Sequence, residues 1–158
     1  MKHLTRIISG GQTGVDRAAL DFAIARGVPY GGWCPKDGWA EDMVQPPGLL
    51  AHYPDLRETL DRDPRRRTRW NVRDADATLI FLPRDGLRSS PGTDFTIACA
   101  QRLTRPVFIV DPWERDATAR IQEWLGSRTR PLALNVAGPR ETQAPGIYSA
   151  TRAVLDAA

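Results

Sequence analysis

The sequence predicts a single α/β domain over residues 1–158, in which helices cover both faces of a mainly parallel sheet of about five or more strands. A chain of 158 residues suits one domain. Short apolar runs alternate along it with helical patterns, and strands joined by helical crossovers are parallel. A glycine-rich turn connects the first apolar run to the first helical pattern. We therefore expect a three-layer sandwich.

The apolar runs predict five strands. Several of these runs are continuous rather than alternating, which is typical of strands buried on both faces of a sheet. The runs lie at 6–9, 28–34, 77–83, 106–111 and 131–138.

Helical patterns lie between these runs. Gly27 follows the first of them and is expected to end it as a left-handed cap. The predicted helices lie at 16–26, 93–103, 117–125 and 147–158. Residues 40–56 are predicted to be a loop, and residues 57–73 have a helical charge pattern that Pro64 interrupts.

Composition narrows the class of protein. Hydrophobic residues make up 41% of the chain and charged residues 26%, as in water-soluble globular proteins. No apolar run approaches the roughly 18 residues of a membrane span. We therefore expect a cytoplasmic protein with no membrane partner. Cys34 and Cys99 are expected to be reduced core residues, and no His or Cys cluster has the spacing of a metal site.

The segment "DPRRRTRW" at 63–70 is the most basic stretch of the sequence. Acidic residues flank it on both sides, the formal net charge is only +3, and no nucleic-acid-binding motif appears. We interpret these arginines as a solvated helix face and expect no nucleic-acid partner. The specific role of the arginines at 65–69 stays open.

The turn "SGGQTG" is the first candidate site. Ligands of such folds bind beyond the carboxyl ends of the strands, where this turn lies. Glycines let backbone N–H groups approach an anion, and the following helix adds its positive dipole end. The spacing matches neither a Walker A loop nor a dinucleotide-binding fingerprint. We expect the turn to wrap an anion, with Arg17 assisting; the turn residues are Gly10, Gly11, Gln12, Thr13 and Gly14.

Three other loops follow predicted strands. Lys36 comes directly after the second strand and can supply a point charge to an oxyanion. Ser90, Gly92 and Thr93 lie at the entry to a helix, so this loop can face the same cleft as the first turn. In the last loop, Arg140 can close the cleft, but we interpret it as a surface arginine.

The sequence offers little for catalysis. His3 and His52 are the only histidines, and neither follows a predicted strand directly. There is no GxSxG motif, and Cys34 lacks a partner nearby in the sequence. We therefore expect no catalytic residue.

Five segments, in order along nearly the whole chain, resemble the family of "putative molybdenum carrier" proteins. They are "SGGQTGVDRAALDFA", "GGWCPKDGWAED", "NVRDADATLIF", "PGTDFTIACA" and "LNVAGPRET". That family is similar to a circularly permuted member of the group that contains lysine-decarboxylase-like and Lonely Guy proteins. The resemblance implies a Rossmann-like fold, homo-oligomers and binding of molybdenum cofactor, a pterin with a phosphate and a molybdenum oxyanion centre. It also suggests Asn71, in the "NVRDAD" segment, as a ligand-binding residue.

Lonely Guy enzymes cleave the N-glycosidic bond of a nucleoside monophosphate with a PGGxGTxxE motif. Aligning Gly92 and Thr93 with the Gly-Thr of that motif places Thr96 where its glutamate stands. A threonine cannot act as a carboxylate base, so the resemblance implies phosphate holding by this loop, Thr96 included, without the hydrolysis. Another acid, such as Asp16, Asp42 or Asp94, can still substitute.

The leading hypothesis is therefore a non-catalytic carrier of a small phosphorylated ligand, with molybdenum cofactor as the carried ligand. Its partners would be enzymes that make or accept that cofactor. Two alternatives stay open: a nucleoside-monophosphate phosphoribohydrolase and a nucleotide-sensing module.

Overall fold

A computed structural model of the chain describes residues 4–84 and 91–158. Within these residues it holds six strands, six α-helices and a short 3-10 turn. The strands are β1 (Leu4–Ile8), β2 (Tyr30–Cys34), β3 (Leu56–Glu58), β4 (Ala77–Phe81), β5 (Val107–Val110) and β6 (Leu132–Ala137). The helices are α1 (Val15–Arg26), α2 (Leu49–His52), α3 (Pro64–Asp74), α4 (Pro91–Arg102), α5 (Ala117–Gly126) and α6 (Ile147–Ala157), and the 3-10 turn is Lys36–Gly38.

The strands form one sheet in the order β3-β2-β1-β6-β4-β5, and every neighbouring pair is parallel. From β1 the chain first extends the sheet through β2 and β3, then crosses over to β4 and β5. The last strand, β6, inserts between β1 and β4. The direction of winding therefore switches beside β1, which is where α/β sheets open a crevice for ligands.

Helices cover both faces of this sheet, so the predicted three-layer α/β architecture is confirmed. Helices α1, α5 and α6 pack on one face around a core that includes Phe22, Ile121 and Leu155. Helices α3 and α4 pack on the other face, where Val72 and Cys99 meet. Strand β4, which lies between β6 and the edge strand β5, is buried along its whole length, as its continuous apolar run predicts.

The segment between β2 and α3 differs from the prediction. Residues 49–58, assigned to a loop and to the start of a helical segment, contain α2 and β3 instead. Strand β3 is too short to show a sequence pattern, and it is recognisable only through its pairing with β2, which begins at Gly32 and Leu56. Helix α3 begins at Pro64, with the Asp63 carboxylate accepting the Arg65 N–H. The proline thus starts the helix rather than interrupting it.

Within the described part of the chain, every helix is too short or too polar to cross a membrane.

Candidate functional site

A cleft of about 430 Å³ opens at the carboxyl edge of the sheet, beside the neighbouring strands β1 and β6. Its walls are the turn after β1, the first turns of α3 and α4, and the loop after β6. Its volume falls in the range of small-molecule sites, roughly 300–1,000 Å³. It is lined by Gln12, Asp16, Asp63, Pro64, Arg65, Arg67, Thr68, Pro91, Gly92, Thr93, Phe95, Thr96, Ala137, Gly138, Arg140 and Gln143.

The glycines of the first turn allow close approach of other groups. A Cβ atom on Gly10 would lie 1.7 Å from Nη1 of Arg67, so a larger residue would displace that guanidinium. Gly14 has a φ of 77°, and a Cβ atom there would lie 2.5 Å from the carbonyl oxygen of Pro139. Gly10 therefore admits Arg67 beside the turn, and Gly14 admits the loop that follows β6.

Asp16 and Arg67 form an ion pair at the wall of the cleft. Nη1 of Arg67 donates to Oδ2 of Asp16 over 3.0 Å, and the Gln12 N–H donates to the same oxygen over 3.4 Å. Their side chains are only 14% and 7% exposed for Arg67 and Asp16. Burial raises the pKa of Asp16 above its ordinary value, although the Arg67 charge opposes this rise. The anionic group beside the glycine turn and the first turn of α1 is therefore the carboxylate of the protein's own Asp16.

Thr13 and Gln12 connect the first turn to residues 39–41. The Thr13 hydroxyl donates to the Glu41 carboxylate and accepts the Glu141 N–H over 3.2 Å. The Gln12 side chain donates to the Trp39 carbonyl oxygen over 3.4 Å and accepts the Glu41 N–H over 3.3 Å. Gln12 lines the cleft, whereas the Thr13 hydroxyl is occupied by contacts between loops.

Arg17 is directed away from the cleft. Its Nε donates to the Gly11 carbonyl oxygen over 3.2 Å, and its two terminal nitrogens each donate to the Asp42 carboxylate over 3.0 Å. Arg17 and Asp42 line a separate pocket of about 310 Å³ together with Asp21 and Tyr53. The Arg17 guanidinium therefore holds the glycine turn against residue 42.

Asn71 and Lys36 also lie outside the cleft lining. Oδ1 of the buried Asn71 accepts the Trp33 N–H over 2.7 Å, and its Nδ2 donates to the Trp33 carbonyl oxygen over 3.0 Å. Asn71 thereby joins α3 to β2, and with Gly10 it lines a small cavity beside the cleft. The Lys36 side chain is exposed.

The first turn of α4 contributes the opposite wall. Gly92, Thr93 and Thr96 all line the cleft, as the sequence predicted for residues facing the glycine turn. Thr93 and Thr96 are buried, and the Thr96 hydroxyl donates to the Gly92 carbonyl oxygen over 2.9 Å. Ser90, predicted for the same wall, lies outside the described residues.

Three arginines that the sequence analysis assigned to the surface line the cleft. Two of them are paired with carboxylates, Arg67 with Asp16 and Arg140 with Glu41 over 3.5 Å. Arg65 and Arg67 belong to the segment interpreted as a solvated helix face, and Arg140 was interpreted as a surface residue. The guanidinium of Arg65 lies over the Phe95 ring, and that of Arg140 lies over the Trp39 ring. Spacing within the basic segment offered no signal that α3 would bring its first turn to the cleft.

The arrangement suits binding of an anion more directly than it suits catalysis. Among the described residues that line the cleft, Asp16 is the one buried carboxylate, and none is a Cys or His. Burial raises the pKa of the Cys34 thiol to about 11, which makes it a poor nucleophile. Within residues 4–84 and 91–158, no group of three or more His, Cys, Asp or Glu side chains is placed to hold a metal ion.

Comparison with known proteins agrees with the resemblance drawn from the motifs. A crystal structure described as "Putative molybdenum carrier protein", from Syntrophus aciditrophicus SB, matches with a TM-score of 0.85 and 40% sequence identity. The match covers 98% of this chain and 94% of the other. No curated protein matches the chain. Residues 7–158 match the family described as "Circularly permutated YpsA SLOG family". Because this match spans nearly the whole sequence, the chain belongs to the circularly permutated YpsA SLOG family.

Proposed function

We propose that this protein binds a small ligand bearing a phosphate or similar oxyanion and holds it without chemical change. The observation that carries the proposal is the convergence of Arg65, Arg67 and Arg140 with the first turn of α4 around one cleft. Helix N-termini and guanidinium groups both favour anions, and their effects add where they face the same volume. Of the residues predicted for the site, Gln12, Gly92, Thr93 and Thr96 line this cleft.

Molybdenum cofactor is the ligand we propose. The 40% identical relative is described as a molybdenum carrier, and its match covers nearly all of both chains. The cofactor carries anionic groups at two places, its phosphate and its molybdenum oxyanion centre. Arg65 and Arg140 come from different walls of the cleft, which suits a ligand with two separate anionic groups. Enzymes that make or accept the cofactor would then be the partners.

One observation favours a second candidate, a phosphoribohydrolase. Asp16 supplies a buried carboxylate at the cleft, although Thr96 replaces the glutamate of the Lonely Guy motif. A carboxyl group whose pKa is raised by burial is suited to general acid–base chemistry. Asp42 is not suited to this role, because it pairs with Arg17 away from the cleft.

The test compares the chain purified from two bacterial hosts, one that makes molybdenum cofactor and one that cannot. After denaturation and oxidation, the fluorescent pterin released per chain is measured. We expect bound pterin only from the first host, with at least tenfold less in Arg65→Ala, because a charge-assisted hydrogen bond contributes about 1.5–3 kcal/mol. Arg69→Ala is the matched control, since Arg69 is an exposed arginine of the same helix that lies outside the cleft lining.

The same preparations separate the alternatives. Incubation with AMP releases adenine if the protein is a phosphoribohydrolase, and Asp16→Asn should then abolish the release. Tight binding of AMP without turnover would instead support a nucleotide-sensing module. Pterin at equal levels in Arg65→Ala and Arg69→Ala, or none in any preparation, would contradict the proposed carrier site.

A further inference from the structure

A second, much smaller cavity lies beside the cleft, where strand β6 faces helix α3. Its volume is about 10 Å³, which is just enough for one water molecule. Six of its eight lining residues have polar side chains, and among them Asp16, Arg67 and Thr96 line the cleft as well. A polar cavity of this size takes up water, whereas an apolar one stays dry.

The Arg67 guanidinium has one buried nitrogen that makes no hydrogen bond within the described residues. Its Nη1 donates to Oδ2 of Asp16 over 3.0 Å. Its Nε, by contrast, is buried and has no partner in that part of the chain, although Arg67 lines the small cavity. A guanidinium does not give up its proton, and a buried donor without an acceptor is costly. The Nε–H group therefore calls for an acceptor in this cavity.

Asn135 brings an amide group to the same cavity from strand β6. Its neighbours Leu134 and Val136 belong to the core on the other face of the sheet, so the alternation of the strand turns Asn135 toward α3. Asn135 is only 2% exposed. Its Nδ2 donates to the Thr78 hydroxyl over 3.3 Å, and its Oδ1 has lone pairs left to accept. An amide buried in an otherwise apolar strand needs both of its polar ends satisfied.

We propose that the small cavity binds one water molecule, which accepts the Arg67 Nε–H and donates to Oδ1 of Asn135. Asp16 and Thr96 also line the cavity and offer acceptors for the second proton of the water. The Thr96 hydroxyl gives its own proton to the Gly92 carbonyl oxygen, so its lone pairs are available. Such a water has three partners, which is typical of buried waters in proteins.

This water makes Asn135 a positioning residue of the anion site, an inference that rests on the proposed function of the cleft. Asp16 holds Nη1 and the water holds Nε, so the Arg67 guanidinium is fixed at two of its three nitrogens. Its Nη2 is left for an oxyanion in the cleft. A group that is held in place before the ligand arrives loses less conformational freedom on binding. Asn135 does not line the cleft itself, so it acts on the ligand through Arg67.

The water site is tested in a high-resolution crystal structure of the full wild-type chain. We expect one electron-density peak in the cavity, within hydrogen-bond distance of Arg67 Nε and Asn135 Oδ1. Asn135→Leu, which is close in size but has no acceptor, should lose this peak. A wild-type structure without the peak would overturn the proposal, and so would a peak that persists unchanged in Asn135→Leu.

The positioning role is tested by the pterin that each variant retains when it is made in a host with molybdenum cofactor. Asn135→Leu should retain about fivefold less pterin than the wild-type chain, because Arg67 loses a hydrogen bond that holds it. Thr78→Val is the matched control. It removes the same hydrogen bond between β6 and β4 but leaves Oδ1 of Asn135 in place, so pterin should be unchanged. Circular dichroism confirms folding, and Asn135→Val, with a smaller side chain that suits a strand, repeats the test.

The outcomes separate this proposal from the proposed function. Equal losses in Asn135→Leu and Thr78→Val would show that Asn135 acts only on the structure of the sheet. Unchanged pterin in Asn135→Leu would show that the water does not support Arg67. Either result overturns the positioning role. A wild-type chain without pterin would contradict the proposed function, and with it the positioning role, while the density peak would still decide whether the water site exists.

Discussion

Arg67 depends on two other residues for its place beside the cleft. Gly10 lacks the side chain that would block the guanidinium, and Asp16 supplies the opposite charge within 3.0 Å. Because both charged groups are largely buried, removing one leaves the other without compensation in a poorly solvated site. The pair therefore matters for the folded state as well as for binding.

Replacing Arg67 with alanine is expected to cost about 3 kcal/mol or more of unfolding free energy at pH 8. Burial already raises the folded-state pKa of Asp16 above 3.8, and loss of the Arg67 charge raises it further. The folded state then holds a proton that the unfolded chain releases, so stability falls as pH rises from about 3.8 through the folded-state pKa. Urea unfolding should show a smaller loss at pH 5 than at pH 8.

The control is the same substitution in an Asp16→Asn background. Without the Asp16 charge, Arg67→Ala should cost only about 1 kcal/mol, and the loss should no longer depend on pH. An equal loss in both backgrounds would show that Arg67 stabilises the fold through contacts other than Asp16.

At the scale of elements, the Asn71 side chain bonds α3 to the backbone of β2. Asn71→Ala leaves the N–H and carbonyl oxygen of Trp33 without their side-chain partner, at the β2 strand where α3 packs. An unsatisfied buried polar group costs about 1–3 kcal/mol, so the loss of unfolding free energy should be about 2–4 kcal/mol without ligand. Thr68→Ala is the control on the same helix, because its hydroxyl donates to the Pro64 carbonyl oxygen of the helix itself. Equal urea midpoints would contradict this role of Asn71.

The elements that could be predicted are those with a repeating pattern. The apolar run at 77–83 predicted a buried strand, and the apolar positions at 16–26 predicted a helix. Both patterns extend over enough residues to distinguish a strand from a helix. Strand β3 has only three residues, two of them exposed, and it exists through pairing with β2. Such a strand depends on tertiary contacts, which no local pattern records.

At the scale of the whole molecule, the sequence indicated where the candidate site lies but not all of the residues that line it. The parallel sheet placed it at the carboxyl edge, and the entry to α4 lies there as expected. Pairings across 28 and 51 residues, Thr13 with Glu41 and Asp16 with Arg67, decide which polar groups face the cleft. Local spacing carries no information about such pairings, so the contribution of α3 was missed.

A ligand in the cleft would add contacts to each of the segments that form its walls. Hydrogen exchange of the chain carrying bound pterin, compared with the pterin-free chain, should therefore slow at 63–68, 91–96 and 137–143, the segments that form the cleft walls. A contact that stabilises the closed state slows exchange exponentially with the free energy that it adds to local opening. Helix α5, which contributes nothing to the cleft lining, is the internal control and should exchange at the same rate in both samples. Slowing confined to the pocket of Arg17, Asp21 and Tyr53 would move the binding site there and contradict the cleft.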